Sequence, residues 1–103
     1  MAGNGKQAIS SAELSSFCSQ VALILSAGLP LYDGMETLAQ TTKGSEYEDL
    51  YESASKAVNE TGSLYQALQR DERWPTYLVE MTGIGEQTGQ LESVMNDLSE
   101  YDI

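Results

Sequence analysis

Hydrophobic side chains recur along this chain at intervals of three and four residues, which is the period of an amphipathic helix. Glycines, prolines and short polar stretches divide the pattern into six segments, and no segment alternates like a strand. The predicted core-facing positions are Leu14, Phe17, Cys18, Val21, Ala22 and Leu25; then Leu31, Met35, Leu38 and Ala39; then Tyr47, Leu50, Tyr51, Ala54 and Val58; then Leu64, Ala67 and Leu68; then Leu78, Met81 and Thr82; and finally Leu91, Val94, Met95, Leu98 and Tyr101.

Polar residues and prolines mark where these helices begin. A serine followed three residues later by Glu or Gln forms a capping box, in which side chains satisfy the free amides of a first turn. Pro30 and Pro75 suit the start of the second and fifth helices, where a missing amide donor is harmless. Three pairs have the capping-box spacing: Ser10 with Glu13, Ser45 with Glu48, and Ser63 with Gln66.

Glycines mark where helices end, because glycine readily takes the left-handed conformation of a helix C-terminus. Gly28 and Gly62 stand at such ends, and Gly34 lies inside the second helix at a cost of about 1 kcal/mol relative to alanine. A close approach of neighbouring backbone would explain Gly34. The stretches AGLPLYDGM, TGSLYQAL and TGQLESVM share a glycine followed closely by leucine, and we interpret them as one corner used three times.

The short connections favour antiparallel neighbours. We therefore predict an all-α fold, a six-helix antiparallel bundle built from three helical hairpins. Residues 11–103 form the domain, and residues 1–10 are expected to be disordered or frayed.

The net charge and the residue composition argue against several classes of function. Five basic and sixteen acidic residues give a net charge of −11, which argues against nucleic acid and against anionic lipid. Solubility, a basic partner or divalent cations suit that charge. The chain has no histidine, which excludes Cys/His zinc sites and Ser-His triads, and its one cysteine, Cys18, is expected to be buried. The N-terminus has no apolar core of a signal peptide.

The segment GIGEQTGQLESVM, residues 83–95, contains three closely spaced glycines, as a phosphate-binding loop would. Gly83, Gly85 and Gly89 are spaced one residue too widely for the dinucleotide fingerprint, and a helix rather than a strand precedes them. Glu86 would repel phosphate. We interpret the segment as a corner between the fifth and sixth helices.

Acidic pairs at helical spacing indicate solvated faces rather than catalytic carboxylates, and we expect no enzyme activity and no cofactor. A calcium site at Glu86 is a less favoured alternative, since calcium prefers carboxylate oxygens. Tyr47 and Tyr51, one turn apart, are either core residues or a partner-binding face.

In this order and at these distances, the motifs resemble the F domain of type II secretion and type IV pilus assembly, the cytoplasmic domain of an inner-membrane platform protein. The similarity spans residues 11–103; Trp74, where the family usually has Phe, and Gly34, where it usually has Ala, depart from the pattern. Its corner residues are Gly28, Pro30, Leu31, Gly62, Leu64, Pro75, Gly85, Glu86, Gly89 and Leu91.

The resemblance implies a non-enzymatic scaffold that couples a cytoplasmic assembly ATPase to the assembly of pilin-like subunits. It implies a homodimer, other inner-membrane platform components as partners, and membrane attachment through transmembrane helices absent from this chain. Glu86 is the residue expected either to cap the sixth helix or to contact a partner or cation. The alternatives are a freestanding helical adaptor and an acidic calcium-responsive module.

Overall fold

A computed structural model describes residues 7–100 of the chain. Tyr101 and residues 1–6, part of the segment expected to be frayed, lie outside the described residues. Within residues 7–100 the structure contains six α-helices and no strand, which confirms the all-α prediction. The helices are α1 (Ser11–Ser26), α2 (Leu31–Gln40), α3 (Glu48–Thr61), α4 (Leu64–Gln69), α5 (Thr76–Thr88) and α6 (Leu91–Ser99).

Two of the three predicted capping serines cap a helix. The Oγ of Ser10 accepts from the N–H of Glu13, and the Oγ of Ser63 accepts from the N–H of Gln66, both at 3.1 Å. The carboxylate of Glu13 does not return to Ser10 as a capping box requires. It accepts instead from the hydroxyl of Tyr51 in α3 at 2.7 Å.

The capping box predicted at Ser45 is wrong. Residues 41–47 wind through successive turns, so α3 begins later and its N-cap is Tyr47. The Oγ of Ser45 accepts from the N–H of Tyr47 at 3.1 Å, and the carboxylate of Glu48 accepts from the N–H of Gly44 at 3.0 Å. Both side chains stabilise the turn rather than the helix, because local hydrogen bonds from serine and acidic residues compete with helix capping.

Each helix packs against the next one in the chain, and α1 also packs extensively against α6. The six helices therefore form a closed ring around a shared core. The closing contact joins helices at opposite ends of the chain, which the prediction of three local hairpins did not include.

An aromatic cluster fills the middle of the core. The ring of Phe17 lies 4.6 Å from that of Trp74 and 5.6 Å from that of Tyr51, measured between centroids. Such contacts add about 0.5–1.5 kcal/mol per pair beyond the burial of apolar area. They connect α1, α3 and the turn before α5.

Two positions depart from the sequence-based expectation of the core. Met81 was predicted to face the core but is 38% exposed, because the buried face of α5 is narrow and uses Leu78, Thr82 and Gly85. Ile9 belongs to the segment expected to be frayed, yet it is buried, and its N–H donates to the carbonyl of Arg73 at 3.2 Å.

Gly34 sits where α1 and α2 approach most closely at their connected ends. A Cβ at this position would lie 2.7 Å from Cδ1 and 2.9 Å from Cγ1 of Ile24. A side chain at residue 34 would therefore have to displace Ile24 of α1, so the close approach is to a side chain rather than to neighbouring backbone.

Candidate functional site

The three glycine–leucine corners meet at one end of the bundle. They line a shallow depression of about 570 Å³, to which the α1–α2 corner contributes Leu31 and the α3–α4 corner contributes Gly62. The α5–α6 corner adds Gly89 and Leu91. The corners repeated along the sequence are thus neighbours in space.

Each corner ends a helix in the same way. Gly28, Gly62 and Gly89 have φ angles of +75°, +74° and +71°, in the left-handed region where side chains are strained. Their amides return to the last turn of the preceding helix; that of Gly62 donates to the carbonyl of Val58 at 2.7 Å. All three glycines therefore have the backbone conformation in which a chain leaves a helix.

The segment 83–89 is mostly helix and not a loop, which corrects the sequence analysis. Gly83, Gly85 and Glu86 lie inside α5, and only Gly89 turns the chain. A Cβ at residue 85 would lie 3.0 Å from Cα of Leu91 and 3.1 Å from Cγ2 of Val94. Gly85 therefore permits close packing of α5 against α6, and its carbonyl accepts from the N–H of Gln90 at 2.8 Å.

Glu86 caps α4, and the prediction that it caps α6 is wrong. Its Oε2 accepts from the N–H of Leu64 at 2.6 Å and from the N–H of Tyr65 at 3.2 Å. Its Oε1 accepts from the hydroxyl of Ser63 at 2.7 Å. A carboxylate at a helix N-terminus meets unpaired amides and the positive end of the helix dipole, so this arrangement is stabilising.

This contact joins two of the three corners. Ser63 uses its hydroxyl both to cap Gln66 and to donate to Glu86, so one side chain from α5 and one from α4 satisfy the same first turn. Both carboxylate oxygens of Glu86 are hydrogen-bonded within the chain. A cation or partner group that took either oxygen would compete with the cap of α4.

A metal site is not apparent from side-chain positions. Over residues 7–100, no three acidic or cysteine side chains are grouped so that they could hold an ion. Calcium binding at Glu86 stays a prediction, which the effect of calcium on the melting temperature would test.

The other predicted corner residues stand at helix starts. Pro30 and Pro75 are the N-cap residues of α2 and α5. Leu31, Leu64 and Leu91 are each the first residue of a helix, with Leu64 fully buried and the other two half-buried against the core. Each corner therefore anchors the start of a helix with one leucine.

The two candidate interaction tyrosines differ in exposure. Tyr51 is 1% exposed and belongs to the core, so it offers no surface to a partner in this conformation. Burial, followed by the hydrogen bond to Glu13, raises the pKa of Tyr51 above its ordinary value. Tyr47 is half-buried, and its hydroxyl donates to the Oγ of Ser10 at 3.3 Å.

The sequence did not indicate the charge cluster around Arg73, a buried arginine paired with two partly exposed carboxylates. The guanidinium is bonded to Asp71 at 2.6 Å and to both carboxylate oxygens of Asp49 at 3.2 Å. The hydrogen bond to Asp71 is the main cause that raises the pKa of Arg73. The spacing Asp71-x-Arg73 in a turn was the available local signal. The guanidinium of Arg73 binds Asp49 of α3, and the carbonyl of Arg73 accepts from the N–H of Ile9. Arg73 thus connects the N-terminal segment to the bundle.

Cys18 is fully buried, as predicted, and burial raises the pKa of its thiol to about 12. A thiol with such a pKa stays protonated at neutral pH and is a poor nucleophile. Within the described part of the chain, no helix has the length and apolar character needed to cross a bilayer.

Together these features define an all-α bundle domain in which the motif residues close corners and cap a helix. Residues 17–101 match the family model described as type II secretion system (T2SS), protein F. The chain belongs to this family.

Three curated relatives are similar over most of the chain. They are a type IV pilus assembly protein PilC of Myxococcus xanthus (strain DK1622), 24% identical over 82% of the chain; a type 4 fimbrial assembly protein PilC of Pseudomonas putida, 26% identical over 87%; and a type II secretion system protein F of Vibrio cholerae serotype O1 (strain ATCC 39315 / El Tor Inaba N16961), 27% identical over 77%. The matched regions cover 20%, 22% and 20% of these relatives, so the chain spans about a fifth of their length.

Proposed function

We propose that this chain is a non-enzymatic scaffold domain of an inner-membrane platform protein in type II secretion or type IV pilus assembly. In that role it couples a cytoplasmic assembly ATPase to the assembly of pilin-like subunits. Its family membership supports the proposal, as do relatives named for pilus assembly and for type II secretion. The domain lies in the cytoplasm and is attached through transmembrane helices outside this chain.

One observation carries the scaffold role. Two of the corner residues that carry the resemblance serve the fold: Gly85 packs against α6, and Glu86 caps α4. Residues that make such contacts are engaged inside the domain, which supports a structural role for them. What the domain offers to other proteins is its outer surface, which suits a binding role rather than catalysis.

Direct binding to the assembly ATPase of the same organism tests this proposal. The purified chain, held on a surface, is titrated with that ATPase, and an unrelated cytoplasmic ATPase is the control. We expect saturable binding to the assembly ATPase alone. Equal binding to both ATPases, or to neither, contradicts the proposal and favours a freestanding adaptor.

An acidic-to-alanine series separates specific contacts from bulk charge. Glu46 and Glu52 are exposed, whereas Glu86 is engaged with α4. Equal small losses of ATPase binding at all three positions would indicate that net charge drives the association. The proposed homodimer is tested separately by sedimentation of the chain over a range of concentrations.

A further inference from the structure

The exposed large apolar side chains fall into two groups, one on α1, α2 and their connection, and one on α5. Over residues 7–100, six large hydrophobic residues are exposed, and they lie on α1, α2, α5 and the connection between α1 and α2. Scattered exposed apolar residues are ordinary, but grouped ones indicate a binding surface. They are Leu23, Leu29, Tyr32, Tyr77, Met81 and Ile84.

Four apolar residues form a groove between α1 and α2. Leu23 and Ile24 of α1 face Leu38 of α2, and Leu29 closes one end. Leu23 is 68% exposed and Leu29 is 52% exposed, so the groove has a large apolar surface in contact with water. Its volume of about 280 Å³ is just below the range for small-molecule pockets, roughly 300–1,000 Å³.

The groove exists because of the close approach at Gly34. With no side chain at that position, Ile24 lies directly on the backbone of α2. The groove is bordered by polar residues, Gln20, Asp33, Thr37 and Thr41, which leaves an apolar floor with a polar rim.

The groove has one charged lining residue, the acidic Asp33. Residues 7–42 and 74–100 contain no lysine or arginine, and none of the residues that line the groove is basic. The basic residues Lys43 and Lys56 lie with Asp33 and Glu36 around a different depression, between α2 and α3. The groove thus combines an apolar floor with one carboxylate at its rim, in a chain whose net charge is −11.

We propose that the groove between α1 and α2 binds a cationic amphipathic helix of another protein. Helices insert an apolar face into grooves of this kind through residues one turn apart. Charge complementarity selects a basic partner, since basic residues flanking that face would meet Asp33 and the net negative charge of the chain. A second copy of this chain fits poorly, because it would bring Asp33, Glu36 and a further net charge of −11 to the same surface.

A designed peptide tests the groove without any secretion component, so its result is independent of the proposed function. The probe is a helical peptide of about four turns, with leucines at helical spacing and lysines on both flanks. Its dissociation constant is measured by isothermal titration calorimetry. Two controls are a peptide of the same composition in scrambled order and a peptide with glutamates in place of the lysines.

Matched variants of the chain locate the site. Leu23→Gln should weaken binding about tenfold, as expected for loss of one well-packed apolar contact. Ile84→Gln, at an apolar position on α5 that is 52% exposed, should change it by less than about twofold on the same reasoning. Asp33→Asn should weaken binding a few-fold and flatten its salt dependence, whereas Glu92→Gln on α6 should do neither. Leu29→Gln is a second groove variant, and circular dichroism checks that each variant folds.

Three results would overturn the proposal. The scrambled peptide could bind as tightly as the probe, which would indicate bulk charge. Alternatively, Leu23→Gln and Leu29→Gln could leave binding unchanged, or lower it no more than Ile84→Gln. Finally, loss of self-association in Leu23→Gln by sedimentation would show that the groove's occupant is a second copy of the chain.

Discussion

Removing the carboxylate of Glu86 should destabilise the domain through α4, even though the residue lies in α5. Two variants separate the effects: Glu86→Gln keeps the size and one acceptor oxygen, and Glu86→Ala removes all three hydrogen bonds. Each leaves the other residues of the α4 first turn in place. The comparison therefore measures the interhelical cap directly.

The expected magnitude follows from the three bonds. A lost N-cap costs about 1 kcal/mol, and a hydrogen bond to a charged group contributes about 1.5–3 kcal/mol. Glu86 is part-exposed, so water can replace some of what is lost. We expect Glu86→Ala to lower the free energy of unfolding by about 2 kcal/mol, and Glu86→Gln by about 1 kcal/mol. For a domain of this size, 2 kcal/mol corresponds to roughly 10 °C in melting temperature.

Urea unfolding followed by circular dichroism measures these differences. Glu80→Ala is the control, because Glu80 is an exposed acid on the same helix. Hydrogen exchange gives a local readout: the amides of Leu64 and Tyr65 should exchange faster in Glu86→Ala, since they lose their acceptor.

The reasoning is refuted if Glu86→Ala is no less stable than Glu80→Ala. It is also refuted if the amides of Leu64 and Tyr65 exchange at unchanged rates. A double-mutant cycle with Ser63→Ala adds a further check. The two substitutions should be non-additive, because the hydroxyl and the carboxylate share one hydrogen bond.

Three further predictions concern other parts of the fold. Gly85→Ala should lower the free energy of unfolding by about 1–3 kcal/mol despite the higher helix propensity of alanine, because its Cβ would press on Leu91 and Val94. Thermal melting measures this change, and unchanged stability would contradict the packing role. Arg73→Met should lower the free energy of unfolding by about 2–3 kcal/mol, less than for a fully buried ion pair because Asp49 is half exposed. The control is Arg70→Met, which removes an exposed ion pair and should cost under about 1 kcal/mol. The free energy of unfolding should fall as the pH rises above about 9, because Cys18 and Tyr51 keep their protons in the folded state while the unfolded chain loses them. The slope is at most about 1.4 kcal/mol per pH unit per group. A flat profile up to pH 11, measured by urea titration, would show that these groups are not buried as described.

Much of the fold followed from signals that act over three or four residues. The helical period of the apolar positions placed all six helices, and Gly28, Gly62 and Gly89 end three of them as predicted. Ser10 and Ser63 cap the helices that follow them. These features are readable because each depends on the conformation of the residues beside it.

Local signals were insufficient where two conformations competed. Ser45 and Glu48 have the spacing of a capping box, but their side chains stabilise the turn before α3. Gly85 lies in a glycine-rich stretch that is typical of a corner, yet α5 continues through it because α6 packs against it. In both cases the sequence pattern fits either structure, and packing selects one.

The candidate site depended on the tertiary structure most of all. The sequence by itself singled out Glu86 and indicated that it could cap a helix. A carboxylate stabilises the free amides of a helix start whether that helix comes before or after it in the chain. Only the folded arrangement decided that the amides belong to Leu64 and Tyr65, which precede Glu86 by more than twenty residues. The same holds for the contact of α1 with α6 and for the burial of Ile9 against Arg73. Such pairings depend on how helices are placed against one another in space, which the period of hydrophobic residues within each helix does not specify.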